Sequence, residues 1–306
     1  MNEQVKDPGV GAFSKDKAQR FINTSGNFNV RHVNKKSSIN EAYTYLIKIS
    51  WSRFFLILAA VFFVINSLFG FIYVILGVNN IGVKRTDFFT DFINAVFFSV
   101  QTLTTLGYGY FSPNNIPTGI VSSIEAIIGL ISFAFITGLI YGRFSKPSSN
   151  IRFSKDLLLC TYRGKDALMF RVLSGRKGMA LLPKAQVSLS LSRVNEEGEL
   201  KNQFYELKLE RDSIMYLPTT WTLVHPIDKN SPLFGYTREE IKTLQAEMMI
   251  LFSYQDEYFN EELHQAYSYL FNELKVGYKF KKAFYFDDDG QTVLDHDKFD
   301  AITADS

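Results

Sequence analysis

Residues 87–109 read DFFTDFINAVFFSVQTLTTLGYG. The first seventeen of these form an apolar stretch that rises only about 26 Å as a helix, short of a hydrocarbon core of about 30 Å. The last six, Thr104 to Gly109, place two glycines around a tyrosine. On either side lies a longer run: Phe54 to Leu76 (FFLILAAVFFVINSLFGFIYVIL) and Gly119 to Tyr141 (GIVSSIEAIIGLISFAFITGLIY). Each extends roughly 34 Å as a helix, enough to span. Non-helical backbone at membrane depth is tolerated only where it is buried in protein or lines water. The short segment therefore reads as a re-entrant helix delivering an irregular loop, with Thr90 or Asp91 able to cap its start.

That placement gives the loop a chemistry. A dehydrated K+ ion needs a ring of oxygens, and backbone carbonyls in four copies can supply it. Aligning successive carbonyls on one axis demands unusual torsions, and Gly107 and Gly109 enter positive φ without a Cβ penalty. The Thr105 hydroxyl can add an innermost oxygen, and the Tyr108 ring is expected to pack outward as a brace. Thr105, Leu106, Gly107, Tyr108 and Gly109 are thus the candidate filter, with K+ as the permeant ion and no cofactor.

The flanks set orientation. Nine Lys and Arg precede Phe54, only Lys84 and Arg85 lie between the spans, and Arg143, Lys146, Arg152 and Lys155 follow the second. By the positive-inside rule both termini of a multi-pass protein are expected in the cytoplasm, with the filter opening outward. Residues 1–39 are polar, lack the core of a signal peptide and read as a mobile cytoplasmic leader. In 40–52, Tyr43, Leu46, Ile47 and Trp51 share a face, either as a helix lying in the interface or as the start of the first span. Residues 53–146 form the pore domain. Asn66, Ser67 and Gly70 face a neighbouring helix or are tolerated single positions.

From 147 to 306 the texture changes. Short apolar runs such as ALMFRVL, AQVSLSLSRV, TWTLVHPI and EMMILFSY alternate with Gly, Pro, Asp and Asn, the pattern of an all-β sandwich. The fold class is therefore membrane α plus all-β. The net charge of +2 suggests no nucleic acid partner, and the single Cys160 excludes an intrachain disulfide. The four histidines (His32, His225, His264, His296) show no metal spacing, and neither nucleophile elbow nor Walker loop is present, so the chain is not read as an enzyme. Two alternatives stand: a non-conducting, membrane-anchored β-sandwich binding protein, or another class of two-span channel. A Rossmann-gated version of the latter lacks its GxGxxG after Pro147.

With these parts placed, the chain resembles the prokaryotic, KirBac-like inward-rectifier potassium channels from about residue 40 to 300. The likeness rests on YTYLIKISW, TTLGYG, GLIYGRFSKP, MFRVLSGRKGMALLPKAQV and WTLVHPIDKNSPLFGY. It implies a homotetramer whose cytoplasmic immunoglobulin-like domains extend the conduction path. It also implies block by Mg2+, Ba2+ or polyamines that depends on voltage. Leu130, Phe133, Thr137 and Tyr141 fall on one helical stripe and are candidate pore-lining residues, with ordinary packing as the alternative for Phe133 and Tyr141. Phe133 stands where strong rectifiers carry an acid, implying weak rectification. Tyr141 matches the innermost constriction. Gly129 and Gly138 match hinge positions, although glycine also serves close packing. Gln101 replaces the usual glutamate behind the filter and Phe111 its arginine partner. Glu125 is the remaining intramembrane acid, paired behind the filter or protonated, so Gln101 and Glu125 are candidate filter support. Lys48, Arg53, Arg143 and Lys146 are candidates for anionic phospholipid, beside the generic positive-inside signal.

Overall fold

The computed structural model describes residues 4–11, 20–23, 26–31, 33–34, 39–145, 149–175, 180–194 and 199–305. The chain divides into two compact units, residues 34–146 and residues 1–33 with 147–306.

In the first unit, α1 (Ile39–Lys48) carries Glu41 in its first turn and Lys48 in its last, matching the helix dipole at both ends. It stops there. Ser50, with ψ of 151°, breaks the helix before α2 (Trp51–Leu76) begins. The helix expected over 40–52 is thus cut short, and Trp51 belongs to α2. A short 3-10 turn, Val78–Ile81, leads toward α3 (Phe88–Leu103). The expectation that Thr90 or Asp91 caps α3 is corrected: Asp87 is the N-cap, its carboxylate accepting from the Thr90 N–H at 3.0 Å and the Thr90 hydroxyl at 2.8 Å. Asp91 is instead buried and accepts from Thr86. The last helix, α4 (Ile116–Phe144), starts before Gly119 because Asn115 caps it and Pro117 tolerates the first turn. Both α2 and α4 are long and apolar enough to cross a membrane. Most of their large side chains are exposed in the isolated chain, Phe63 at 69% and Ile75 at 70% among them, an apolar surface larger than a protein in water carries uncovered. What is buried is the seam against α3: Phe69, Tyr73, Ala95 and Phe98, with Gly70 seated on Val96.

The second unit contains β1 (Gln4–Val5), β2 (Ile151–Phe153), β3 (Leu158–Tyr162), β4 (Lys165–Ser174), β5 (Ala180–Val194), β6 (Leu200–Glu206), β7 (Tyr216–Leu217) and β8 (Thr220–Pro226). After α5 (Arg238–Thr243) follow β9 (Ala246–Asp256), β10 (Glu262–Leu270), β11 (Lys275–Val276), β12 (Tyr278–Phe280), β13 (Phe284–Phe286), β14 (Thr292–Leu294) and β15 (Ile302–Ala304). One sheet runs β1-β6-β5-β9-β10 with β7 on β5; the other runs β11-β3-β4-β2 with β8 on β4. Alternate residues of each sheet face the other, Val187, Leu189, Ile250 and Phe252 meeting Leu168, Phe170, Val172 and Leu223. Strand β4 departs from alternation: residues 167–173 are all buried. Its outer face, shared with Leu158, Cys160 and Val224 of the neighbouring strands, is covered by Phe280 and Ile302 of the β12–β15 ribbon. Arg171 fastens that ribbon, donating to the Lys281 carbonyl at 2.8 Å and the Thr222 hydroxyl at 3.2 Å. Burial draws its guanidinium down to about 10.

The reading of residues 1–39 as a mobile leader needs correction for its described part. Gln4–Val5 pairs antiparallel with β6, and the buried Glu247 carboxylate accepts from the backbone of Phe21 and Ile22 at 2.7 and 3.2 Å. Ile22 packs with Phe204 and Met249.

Candidate ion-conducting site

The site is built on the C-terminus of α3. Thr104 N–H still bonds to the Val100 carbonyl at 3.0 Å, but the Gln101 carbonyl then accepts from both Leu106 (2.9 Å) and Gly107 (3.4 Å). That double acceptance folds the chain back from the helix end. Beyond it the backbone alternates in hand: Thr105, Gly107 and Gly109 have φ of 58°, 52° and 81°, while Leu106 and Tyr108 are not left-handed. The sequence pointed to the two glycines and missed Thr105. A β-branched residue at positive φ costs of order 1–3 kcal/mol and persists only where its surroundings enforce it. A Cβ at Gly107 or Gly109 would have open space, so backbone conformation, not crowding, calls for glycine there. The Tyr108 ring is 75% exposed in the isolated chain; the brace it was expected to form is not made within one chain.

Behind this loop the structure separates the two expected supports. Gln101 keeps its side-chain oxygen buried without a hydrogen-bond partner among the described residues. Glu125 is fully buried elsewhere, accepting from the Tyr73 hydroxyl at 2.5 Å and from the Ser99 hydroxyl. Ser99 also lies 3.0 Å from the Asn66 carbonyl oxygen, and the Asn66 amide donates to the Phe62 carbonyl at 2.7 Å. Asn66 thus faces a neighbouring helix. Tyr73 and Ser99 carried no signal in the sequence, since a lone Tyr or Ser in an apolar run is ordinary. Phe111 packs edge-on to Phe98 at 6.5 Å, filling the position that the resemblance associates with arginine.

On α4, Leu130, Phe133, Thr137 and Tyr141 are all exposed in the isolated chain, at 65% and 73% for the first two. Gly129 and Gly138, paired as hinge candidates, differ. A Cβ on Gly129 would stand 2.0 Å from the Leu103 carbonyl oxygen, whereas one on Gly138 would meet nothing within 4 Å. Gly129 is therefore a close-packing glycine against the end of α3.

Among the candidate lipid residues, Lys48 and Arg53 are exposed, and Lys146 lies outside the described residues. Arg143 is engaged. Its guanidinium donates to the Leu46 carbonyl and, at 2.6 Å, to the Ile49 carbonyl, capping α1, and sits 4.3 and 4.6 Å over the rings of Trp51 and Phe54.

A profile described as the inward rectifier potassium channel C-terminal domain matches residues 151–305, and one described as ion channel matches residues 50–146. The chain belongs to the inward-rectifier potassium channel family. It is similar to the inward rectifier potassium channel Kirbac3.1 of Paramagnetospirillum magnetotacticum, 31% identical over 285 residues that cover 92% of this chain and 95% of that protein. It is also similar to the ATP-sensitive inward rectifier potassium channel 12 of Homo sapiens, 28% identical over 305 residues, 92% of this chain and 70% of that one. The prokaryotic inward-rectifier resemblance read from the sequence stands, as does the fold: two apolar helices with an intervening short one, followed by a β-sandwich. Inward rectifiers are membrane channels and not enzymes, and this chain shares that class.

Among the described histidines, His225 has a structural use. His225 in β8 is buried, one ring nitrogen 2.7 Å from the Lys208 carbonyl and the other 2.9 Å from the Ser231 hydroxyl, and burial holds its pKa below the ordinary value.

Proposed function

We propose that four copies of this chain assemble around one axis and conduct K+ passively through a filter made by Thr105, Leu106, Gly107, Tyr108 and Gly109. The observation that carries this reading is the alternating left-handed backbone at Thr105, Gly107 and Gly109, directly after a short helix set between two membrane-length ones. Alternation of hand turns successive carbonyls to a common side, as a ring of ion ligands requires. In the tetramer the Tyr108 ring finds its brace on a neighbouring copy. Leu130, Phe133, Thr137 and Tyr141 line the inner pore, Tyr141 forms the constriction that gates it, and Gly138 is the free hinge. Phe133 offers no charge for Mg2+ or polyamines, so rectification is weak; Ba2+ blocks at the filter. Gln101 and Glu125 support the filter from behind. Both termini and the β-sandwich lie in the cytoplasm of a bacterial inner membrane, and anionic phospholipids act through Lys48, Arg53 and Lys146.

Planar-bilayer recording with K+ on one side and Na+ on the other tests the filter. The reversal potential should lie close to the K+ equilibrium value for the wild type, and Gly107→Val should move it toward zero or abolish current. A Gly107→Val channel with unaltered K+ preference would remove this loop from the conduction path.

A further inference from the structure

The stretch from Ser99 to Asn114 contains no Lys, Arg, Asp or Glu, so nothing on the filter or the loop after it can form an ion pair behind the filter. The polar tie runs another way. Ser99 and Leu103 lie one turn apart on α3, as Glu125 and Gly129 do on α4, and the two pairs meet rung to rung. At one rung the Ser99 hydroxyl donates to Glu125; at the other, Gly129 approaches the Leu103 carbonyl so closely that no side chain fits. Two residues beyond Ser99 on the same helix, the Gln101 carbonyl accepts from Leu106 and Gly107 and so holds the filter turn. The upper rung is tied further to α2, because Tyr73 donates to the second Glu125 oxygen at 2.5 Å while Asn66 stands 3.0 Å from Ser99. Glu125, Ser99 and Asn66 are each at most 1% exposed and Tyr73 is fully buried.

We propose that Tyr73 and Ser99, acting through Glu125, are positioning residues for ion selectivity: they bind the pore helix to both spanning helices and hold the filter in its K+-coordinating shape. This rests on the conduction reading above. The assignment has a geometric basis in hydrogen-bond capacity. Two hydroxyls from two different helices meet this one carboxyl group, Tyr73 on one oxygen and Ser99 on the other. Removing either hydroxyl leaves a buried oxygen unpaired beside α3, one turn from the end of the helix that leads into the filter.

The test compares wild type, Tyr73→Phe and Ser99→Ala in liposomes, reading the ratio of radiolabelled Rb+ to Na+ uptake and the half-blocking Ba2+ concentration. Tyr73→Phe keeps the ring that packs 4.7 Å from Phe98, so its fold is retained. Each substitution should lower the Rb+/Na+ ratio about tenfold, the equivalent of one lost buried hydrogen bond, and shift Ba2+ block. A part played only in folding or assembly would reduce both uptakes together and leave the ratio unchanged. A selective wild type with unaltered ratios in both variants overturns the clamp alone. A wild type that conducts without discriminating Rb+ from Na+ overturns the filter reading on which the clamp rests.

Discussion

At Gly107 the φ of 52° leaves open space where a side chain would stand, so a substitution there is resisted by the backbone and by nothing else. Valine should cost about 1–2 kcal/mol per copy at that torsion, enough to flatten the loop and erase K+ preference in bi-ionic recordings. At Gly129 the reverse holds: the torsion is helical and the neighbour is immovable, because the Leu103 carbonyl would lie 2.0 Å from a new Cβ. Gly129→Ala should destabilise the solubilised protein by at least about 1–3 kcal/mol, seen as a lowered thermal midpoint, while Gly138→Ala leaves it unchanged. Equal effects at the two glycines would contradict this geometry. The residue scale also shows where the sequence was readable. Glycine declares tolerance of positive φ, so 107 and 109 could be read from sequence. Thr105 could not, since its left-handed backbone is imposed by the Gln101 carbonyl and opposes its own preference. Nor could the buried partners of Glu125, which depend on three helices meeting.

Helices α1, α2 and α4 converge on Arg143. Its two terminal nitrogens bond to the end of α1 and its plane lies over Trp51 and Phe54, and Gly142 beside it leaves room for Tyr43 and Ile47. Lysine keeps the charge but cannot span two carbonyls in a fixed fork. Arg143→Lys in a Trp221→Phe background should therefore shift Trp51 emission to the red as its ring loses the stacked cation, and unchanged emission would contradict the cap. In the β-sandwich, His225 supplies a pH dependence. Its pKa is lowered in the folded state, so the unfolded chain binds the extra proton as pH falls. Its contribution to stability is complete above about pH 6.5 and is lost as pH drops toward the folded value. Thermal midpoints should decline between neutral and mildly acid pH, and His225→Gln should flatten that decline; an equal slope in the variant would assign it to other groups. At this scale the long elements were legible from length and apolar content. Boundaries were not: Asp87 outcompetes Thr90 and Asp91 as cap of α3 because Thr90 donates both its N–H and its hydroxyl to Asp87. The pairing of Gln4–Val5 with β6 escaped because two residues carry no periodicity.

For the whole molecule, the exposed faces of α2 and α4 and the unbraced Tyr108 are what the proposed assembly of four copies in a bilayer would cover. The family was readable from the motifs spread along the chain, and the sandwich from its turn spacing, but the burial of both faces of β4 follows from a C-terminal ribbon whose strands are three residues each. Charge at the inner pore should govern block: Phe133→Asp, placing four carboxylates on the axis, should strengthen block by internal Mg2+ several-fold, and unchanged block would remove Phe133 from the pore lining. The central claim, that this chain forms a K+-selective pore, is tested most directly by radiolabelled Rb+ uptake into liposomes containing anionic phospholipid, loaded with K+, with Na+ as the comparison ion. Uptake of Rb+ but not Na+, stopped by Ba2+, is the predicted result. Rb+ and Na+ entering at equal rates, or no entry even when Tyr141→Ala has opened the constriction, would contradict it.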